Sequence, residues 1–424
     1  MHVVLFPILP YLCVYYSINS ILCDNLRETN ICGMIVRMKE FDYLGAKDVY
    51  LDAACQSLRP RPVIDAINQY YTKHNSCGER VKYKWGIETD EKVEATREKV
   101  LRFLKLSGRK YTVSFTLNTT YGINLILSQL NPEQFNKVIT SEIEHNSPFL
   151  STMAFSKRTG LPREVIERND DGSIEIGDYD FNRAVVVVNC ASNFDGRKLL
   201  NIKELTKAVH KADGIIIIDA AQAMSHSSDI LKGVEVDAIC FSAHKMYAPS
   251  LGVIVWRDDL IEKMDVGFVG GGMVDDVKKE SYLLSAESKE HRYTRFESGL
   301  QAWGEIIGFG AAIDWLNSLS KKDWKNLENN TKELYEFLKN SDKVHMVNHE
   351  ANPTMSFYVE GVDSHMLGNA LSRDNIMART GYFCAHYYLD HVMGFPPLIR
   401  FSLGLHNRPE DIEIVKKELA KIVK

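Results

Sequence analysis

No Cys-x-x-Cys pair occurs in the chain, and none of its eight cysteines (13, 23, 32, 55, 77, 190, 240 and 384) stands at a spacing to histidine that suits zinc. A structural metal and a disulfide framework are therefore not expected. Positive charge is not in excess either. The 51 Lys and Arg residues face 56 Asp and Glu, a formal net charge of -5, and the basic residues are scattered along the chain. That pattern excludes a nucleic-acid footprint. Internal repeats, low-complexity tracts and long Gly/Ser linkers are missing as well. Residues 3 to 23 carry no charged side chain and on length alone would suit a membrane span or a secretory core. Two prolines, several Tyr, Ser and Asn residues, and the lack of a basic flank or small-residue cleavage site speak against both. The stretch reads better as an extension ahead of a start at Met34 or Met38, with membrane association as the lesser reading.

With 424 residues, 45% hydrophobic and 25% charged, the chain has the composition of an ordinary soluble protein with a large core and two or three domain-sized units. A folded pattern begins at Asp48-Val-Tyr-Leu-Asp52. Helical spacing of apolar residues follows at Val63 to Tyr71 and Glu91 to Leu104. Branched aliphatic runs at Val185–Val188, Ile215–Ile218, Ala238–Phe241 and Val253–Trp256 read as strands buried on both faces. Amphipathic stretches such as Leu199 to Lys211 lie between them. This order predicts a mainly parallel sheet flanked by helices. A long helix is expected over Gly304 to Leu319, running into the charged stretch Lys321 to Lys325, with a smaller α+β unit after it. Cys240 falls inside a predicted strand, where a free thiol acts as a small hydrophobe, and this suits a reducing cytosol.

Four segments carry chemistry. In Phe241-Ser-Ala-His-Lys-Met-Tyr-Ala-Pro-Ser-Leu-Gly252 a lysine follows a buried strand directly, at the strand end where α/β proteins place ligands. A partly desolvated Lys245 amine is a nucleophile toward an aldehyde cofactor; the plain alternative is a lysine snorkelling to solvent. Asp219 ends the run Ile215-Ile-Ile-Ile-Asp. A carboxylate there needs a cation or several donors, and a protonated pyridine nitrogen would serve, unless Asp219 merely caps the next helix. Gln222 stands in reach of the same ring's phenolic oxygen. Thr119 and Thr120, at a turn leading into an apolar helix, offer hydroxyls and backbone amides to a phosphate or form an ordinary N-cap. His145, in Ser141-Glu-Ile-Glu-His-Asn-Ser-Pro148, could stack on an aromatic ring or be purely structural.

Taken together and in order, these motifs resemble the class V aminotransferase family of fold type I, and within it the cysteine desulfurase and selenocysteine lyase-like branch, from about Tyr50 to the C-terminus. The resemblance implies pyridoxal 5'-phosphate held as a Schiff base on Lys245, with Ser242 and His244 joining Thr119 and Thr120 at the phosphate. Asp219 and Gln222 take the ring positions and His145 the stacking position. Asn193, in Cys-Ala-Ser-Asn-Phe, matches an asparagine near the substrate carboxylate. The implied fold is α/β, a large domain with a seven-stranded-type sheet plus a smaller α+β C-terminal domain. Expected boundaries are 1–38 for an N-terminal extension, 39–60 for a segment packing with the small domain, 61–320 for the large domain and 321–424 for the small one. A homodimer, with active sites at the subunit interface, is also implied.

The segment Met377-Ala-Arg-Thr-Gly-Tyr-Phe-Cys-Ala-His386 resembles the desulfurase loop, in which an arginine precedes the catalytic cysteine by five residues. Arg379 would grip the substrate carboxylate through its planar fork, and Cys384 would take sulfur from L-cysteine as a persulfide, leaving L-alanine. A sulfur-acceptor protein is then a possible partner. Two features depart from the pattern. Leu300 stands where the family usually has a threonine that contacts the partner subunit's cofactor phosphate, and the cysteine loop lacks the double histidine common in iron–sulfur desulfurases. Arg80 matches an active-site arginine only loosely and is left out of the site. Selenocysteine lyase, molybdenum-cofactor sulfurase, an epimerase or lyase that needs no cysteine, and a catalytically silent binding protein are the competing readings.

Overall fold

In the computed structural model of the chain, the described residues are 38–78, 81–265 and 267–423. The uncharged stretch 3–23 and Arg80 lie outside them. Among the described residues no helix is long and apolar enough to cross a membrane.

The largest sheet has seven strands: β1 Tyr111–Thr116, β2 Lys137–Ser141, β3 Arg163–Ile166, β4 Ala184–Asn189, β5 Ile215–Asp219, β6 Ala238–Ser242 and β7 Gly252–Arg257. Their order across the sheet is β1-β7-β6-β5-β4-β2-β3. The pairs β6–β5, β5–β4, β4–β2 and β2–β3 are parallel, while β7 runs antiparallel to both β6 and β1. The four aliphatic runs thus form strands as expected, each one residue or so longer than its apolar core.

Strand alternation explains why those runs are continuous. Val186, Val188, Ile216 and Ile218 pack into one hydrophobic cluster, and Val185, Val187, Ile215 and Ile217 into another. Successive side chains point to opposite faces, and both faces are covered. Full burial of one such side chain stabilises the fold by roughly 1.5–3 kcal/mol.

Two helices begin earlier than their apolar spacing suggests. Arg61–Lys73 starts just after Pro60, with Pro62 in the first turn where a missing N–H costs nothing. Lys84–Leu104 starts seven residues ahead of Glu91, because Gly86 interrupts the apolar period without breaking the helix. Gly86 is required there, since a Cβ would collide with the Val81 side chain. The charged stretch at Lys321 is the first turn of a further helix, Lys321–Lys339, set by a capping box between Ser320 and Asp323.

A four-stranded antiparallel sheet of Val344–Met346, Thr354–Val359, Leu398–Ser402 and Arg379–Gly381 follows in the C-terminal part. Val49 and Tyr50 pair in parallel with Ile376 and Met377, and Asp52 bridges to Ser402. The first described strand therefore joins the end of the chain.

Candidate active site

Strands β4, β5 and β6 end at Asn189, Asp219 and Ser242, and all three residues line a cavity of about 290 Å³. Opposite chain segments complete it: Ala54 and Cys55 from the N-terminal turn, Asn118 to Thr120 at a helix start, and Arg379, Phe383, Cys384 and Arg400 from the C-terminal part. All eleven site residues expected from the sequence line this one cavity.

Lys245 ends the short turn Ala243–Lys245 that follows β6. That turn is clamped from outside: the His244 carbonyl accepts from both the Ser57 amide at 2.9 Å and the Ser57 hydroxyl at 2.8 Å. Burial lowers the Lys245 amine below the ordinary lysine value and outweighs the opposing pull of the Asp219 carboxylate. Asp219 is buried, and burial raises its pKa above the ordinary carboxylate value. Its Oδ1 accepts from the Ala221 amide at 2.9 Å. A carboxylate this buried with one backbone donor is still in need of a cation.

Across the sheet, Asn118 caps the helix Thr119–Gln129 by accepting from the Tyr121 amide. Thr119 and Thr120 are thus the first two helical residues rather than the cap. The Thr119 amide donates to Ser242 Oγ at 2.9 Å, and the two hydroxyls meet at 2.6 Å. Gly252 permits this close approach, because a Cβ there would strike Thr116 and the Asn118 backbone. Hydroxyls and amides gathered at a helix N-terminus suit an anion. His244 lines the same cavity, and burial together with the Lys245 and Arg59 cations lowers it to about 4.

His145 caps the helix Asn146–Thr159, with Nδ1 accepting from the Ser147 amide at 3.0 Å. Burial, aided by Lys245 and Arg400, pulls its pKa down to about 3, so the ring is neutral. Since Nδ1 accepts, the ring proton sits on Nε2. Gln222 donates to the Ala54 carbonyl at 2.8 Å, which keeps its amide on the cavity wall.

Asn193 does something the sequence did not suggest. Its Nδ2 donates to the Phe383 carbonyl at 2.6 Å, while Asn146 N donates to the Cys384 carbonyl at 2.6 Å. These two bonds pin a loop in which Phe383 and Cys384 both take left-handed backbone conformations, at φ 50° and 59°. Two consecutive non-glycine residues there are costly and persist only where the surroundings impose them. The loop presents the Cys384 thiol to solvent at the cavity edge.

Three residues of the site were not anticipated. Arg400 is 3% exposed, donates to the Asn193 carbonyl at 2.7 Å and stacks 4.8 Å from the Phe383 ring centre. Asp52 takes Arg400 on Oδ1 at 3.0 Å and Arg379 on Oδ2 at 2.9 Å, so one carboxylate bridges two guanidinium groups. Cys55 lies 2.6 Å from Arg379 Nη2. Alternation in Leu398-Ile-Arg-Phe-Ser402 marks Arg400 as a strand residue without telling which face is wet.

The residues present fit pyridoxal phosphate: an amine of lowered basicity, a buried carboxylate held by a backbone amide, an anion cradle and a neutral imidazole. Two buried polar atoms beside that set, Asn193 Oδ1 and Arg400 Nε, have no hydrogen-bond partner, as expected where a ligand completes the site.

The aminotransferase class-V family profile matches residues 49–415. The chain belongs to the class-V aminotransferase family. Among its relatives in that family, a probable cysteine desulfurase of Haemophilus influenzae is 30% identical over 390 residues, covering 88% of this chain and 86% of its own length. A probable cysteine desulfurase of Vibrio cholerae is 27% identical over 387 residues, covering 88% and 93%. In three dimensions this class-V chain is similar to the apo cysteine desulfurase of Thermococcus onnurineus, with a TM-score of 0.79, 26% identity and coverage of 89% and 95%. An Escherichia coli cysteine desulfurase aligns with a TM-score of 0.80 at 21% identity, covering 90% and 96%, and speaks for the fold alone.

Proposed function

We propose that the protein is a pyridoxal-phosphate-dependent cysteine desulfurase that moves the sulfur of L-cysteine to Cys384 and releases L-alanine. The observation that carries this reading is the presence of Lys245, Asp219, two arginines and Cys384 on the wall of one cavity. The names of the relatives point the same way.

Lys245 would hold the cofactor aldehyde, Asp219 the ring nitrogen, Gln222 the phenolic oxygen, His145 the ring face, and Thr119, Thr120, Ser242 and His244 the phosphate. When bound, the cofactor supplies an electron sink for charge developing at the substrate Cα. Arg400 and Arg379 offer their forks to the substrate carboxylate, which takes over positive charge that Asp52 now neutralises. Asn193 orients the loop so that Cys384 faces the substrate side chain. Lys245, its amine made less basic by burial, would take the Cα proton and return it to the product. Cys384 Sγ attacks the substrate sulfur, the carbon–sulfur bond breaks with its electron pair left on the substrate, whose Cβ takes up the proton Cys384 gave up, and the persulfide stays on Cys384.

Exposure of Cys384 suits delivery to an acceptor protein. The homodimer carries over from the family resemblance, and Leu300, 77% exposed, is a residue a second copy would cover.

The decisive experiment incubates purified protein with pyridoxal phosphate and reads the visible Schiff-base band, then adds L-cysteine and measures alanine and persulfide. The band disappears in Lys245→Ala, and persulfide and alanine formation disappear in Cys384→Ala. Alanine formation that ignores Cys384 would sink the desulfurase reading and leave the cofactor assignment. A higher kcat/KM for selenocysteine would move the substrate instead.

A further inference from the structure

Of the five described cysteines, Cys190 and Cys240 are buried in the core and Cys77 stands outside the cavity, whereas Cys55 and Cys384 both line it. The two differ in setting. Cys384 is exposed on a strained loop, while Cys55 is partly buried on the Asp52–Gln56 turn with its sulfur 2.6 Å from the Arg379 guanidinium. Arg379 in turn is fixed by Asp52 through two hydrogen bonds, at 2.9 and 3.1 Å. The residue that anchors the base of the Cys384 loop is thus the one that touches Cys55, and Gly381, at φ 108°, lies between Arg379 and Cys384 as a pivot. Both cysteines share the cavity wall with Lys245, which puts them around the same reacting centre. Arg400 Nε and Asn193 Oδ1, buried and unpartnered on that wall, mark it as a ligand surface rather than a packed interior.

We propose that Cys55 is a second sulfur-carrying residue, which takes the outer sulfur of the Cys384 persulfide and holds it against Arg379. The inference rests on the desulfurase reading. In the step, Cys55 Sγ attacks the outer sulfur of Cys384–S–SH. A bond forms between Cys55 Sγ and that sulfur, the bond from it to Cys384 Sγ breaks, and Cys384 leaves as a thiolate that takes up the proton Cys55 gave up. The sulfur keeps its oxidation state, so no oxidant or reductant enters. A persulfide anion on Cys55 gains a charge-assisted contact from a guanidinium already held in place by Asp52. It is also withdrawn from solvent thiols that reach Cys384. Cys384 is returned to the thiol state and accepts a second sulfur before any acceptor arrives.

The test uses the cofactor-loaded full chain with a few equivalents of L-cysteine per chain, without added acceptor or other reductant. Alkylation, proteolysis and peptide mass spectrometry then locate the extra sulfur. Persulfide is expected on both the Cys55 and Cys384 peptides of wild type, on neither in Cys384→Ala, and on Cys384 alone in Cys55→Ser. The alanine burst in Cys55→Ser is expected to fall to half of the wild-type burst. The cofactor absorbance band checks that Cys55→Ser and Cys55→Ala fold, and the wild-type map decides the matter even if they do not. Persulfide on Cys384 alone in wild type overturns the proposal and leaves the desulfurase reading standing. Persulfide on Cys55 in Cys384→Ala also overturns it, because sulfur would then reach Cys55 directly from substrate. No persulfide at either position and no alanine overturns the desulfurase reading, and this proposal with it.

Discussion

The Asn193 side-chain amide donates to the Phe383 carbonyl at 2.6 Å, across 190 residues of sequence. That bond ties the segment just after β4, one strand of the cofactor-side sheet, to the loop that carries the thiol. Replacing Asn193 by Ala leaves the Phe383 carbonyl without its donor beside two left-handed residues. The expected loss is about 1–3 kcal/mol in urea unfolding, together with faster alkylation of Cys384 in the native protein. Unchanged alkylation would mean that the loop is held by other contacts.

Asp52 neutralises Arg400, whose side chain is 4% exposed. In Asp52→Asn, Arg400 keeps its charge and loses its counter-charge, for which a loss of about 3–5 kcal/mol is expected. Added L-alanine, which brings a carboxylate to the same two arginines, should restore part of the loss in a thermal unfolding assay. Wild type should respond less to the same addition.

A second buried ion pair supports the sheet from behind. Arg97 grips Glu297 with two hydrogen bonds, at 2.6 and 2.8 Å, and the same carboxylate accepts from the Phe115 amide in β1 at 2.6 Å. Arg97→Ala strands the Glu297 carboxylate in the interior, and a destabilisation of about 3–5 kcal/mol is expected. The double variant Arg97→Ala/Glu297→Gln should recover part of it in the same unfolding titration.

Stability should fall on acidification in a particular window. His145 is held at about 3 against an ordinary 6.5, so between these values the unfolded chain binds the proton that the folded chain refuses. The contribution is complete above pH 6.5 and is lost as pH falls toward 3, with a slope of up to about 1.4 kcal/mol per pH unit. His145→Gln should flatten the profile of unfolding free energy across that window while leaving the region above pH 7 parallel to wild type. His244, held at about 4 by burial and two cations, contributes a similar slope that survives in this variant.

How much of this was readable in advance depended on distance along the chain. Lys245 and Asp219 stand at the ends of aliphatic runs, where local pattern alone sets both burial and position. The sheet was legible for the same reason, since Val185–Val188 and Ile215–Ile218 must be covered on two faces. Asp52 and Arg400 were not, because their meaning lies in a pairing 348 residues apart that no period announces. Cys55 became visible only through Arg379, 324 residues away. The left-handed Phe383 and Cys384 escaped because neither is the glycine or asparagine that usually signals such a backbone. Helix starts at Arg61 and Lys84 were displaced by proline and glycine, which local periodicity treats as interruptions.

The parallel pairing of Val49–Tyr50 with Ile376–Met377, and the reach of Asp52 to Arg400, have a bearing on how the chain is made. During synthesis the N-terminal segment emerges first and waits, without its partners, until nearly the whole polypeptide has left the ribosome. The sheet with its lysine can assemble while translation continues, but the carboxylate clamp closes only at the end. A truncated product would therefore retain the means to capture the cofactor and lack the means to grip an amino acid.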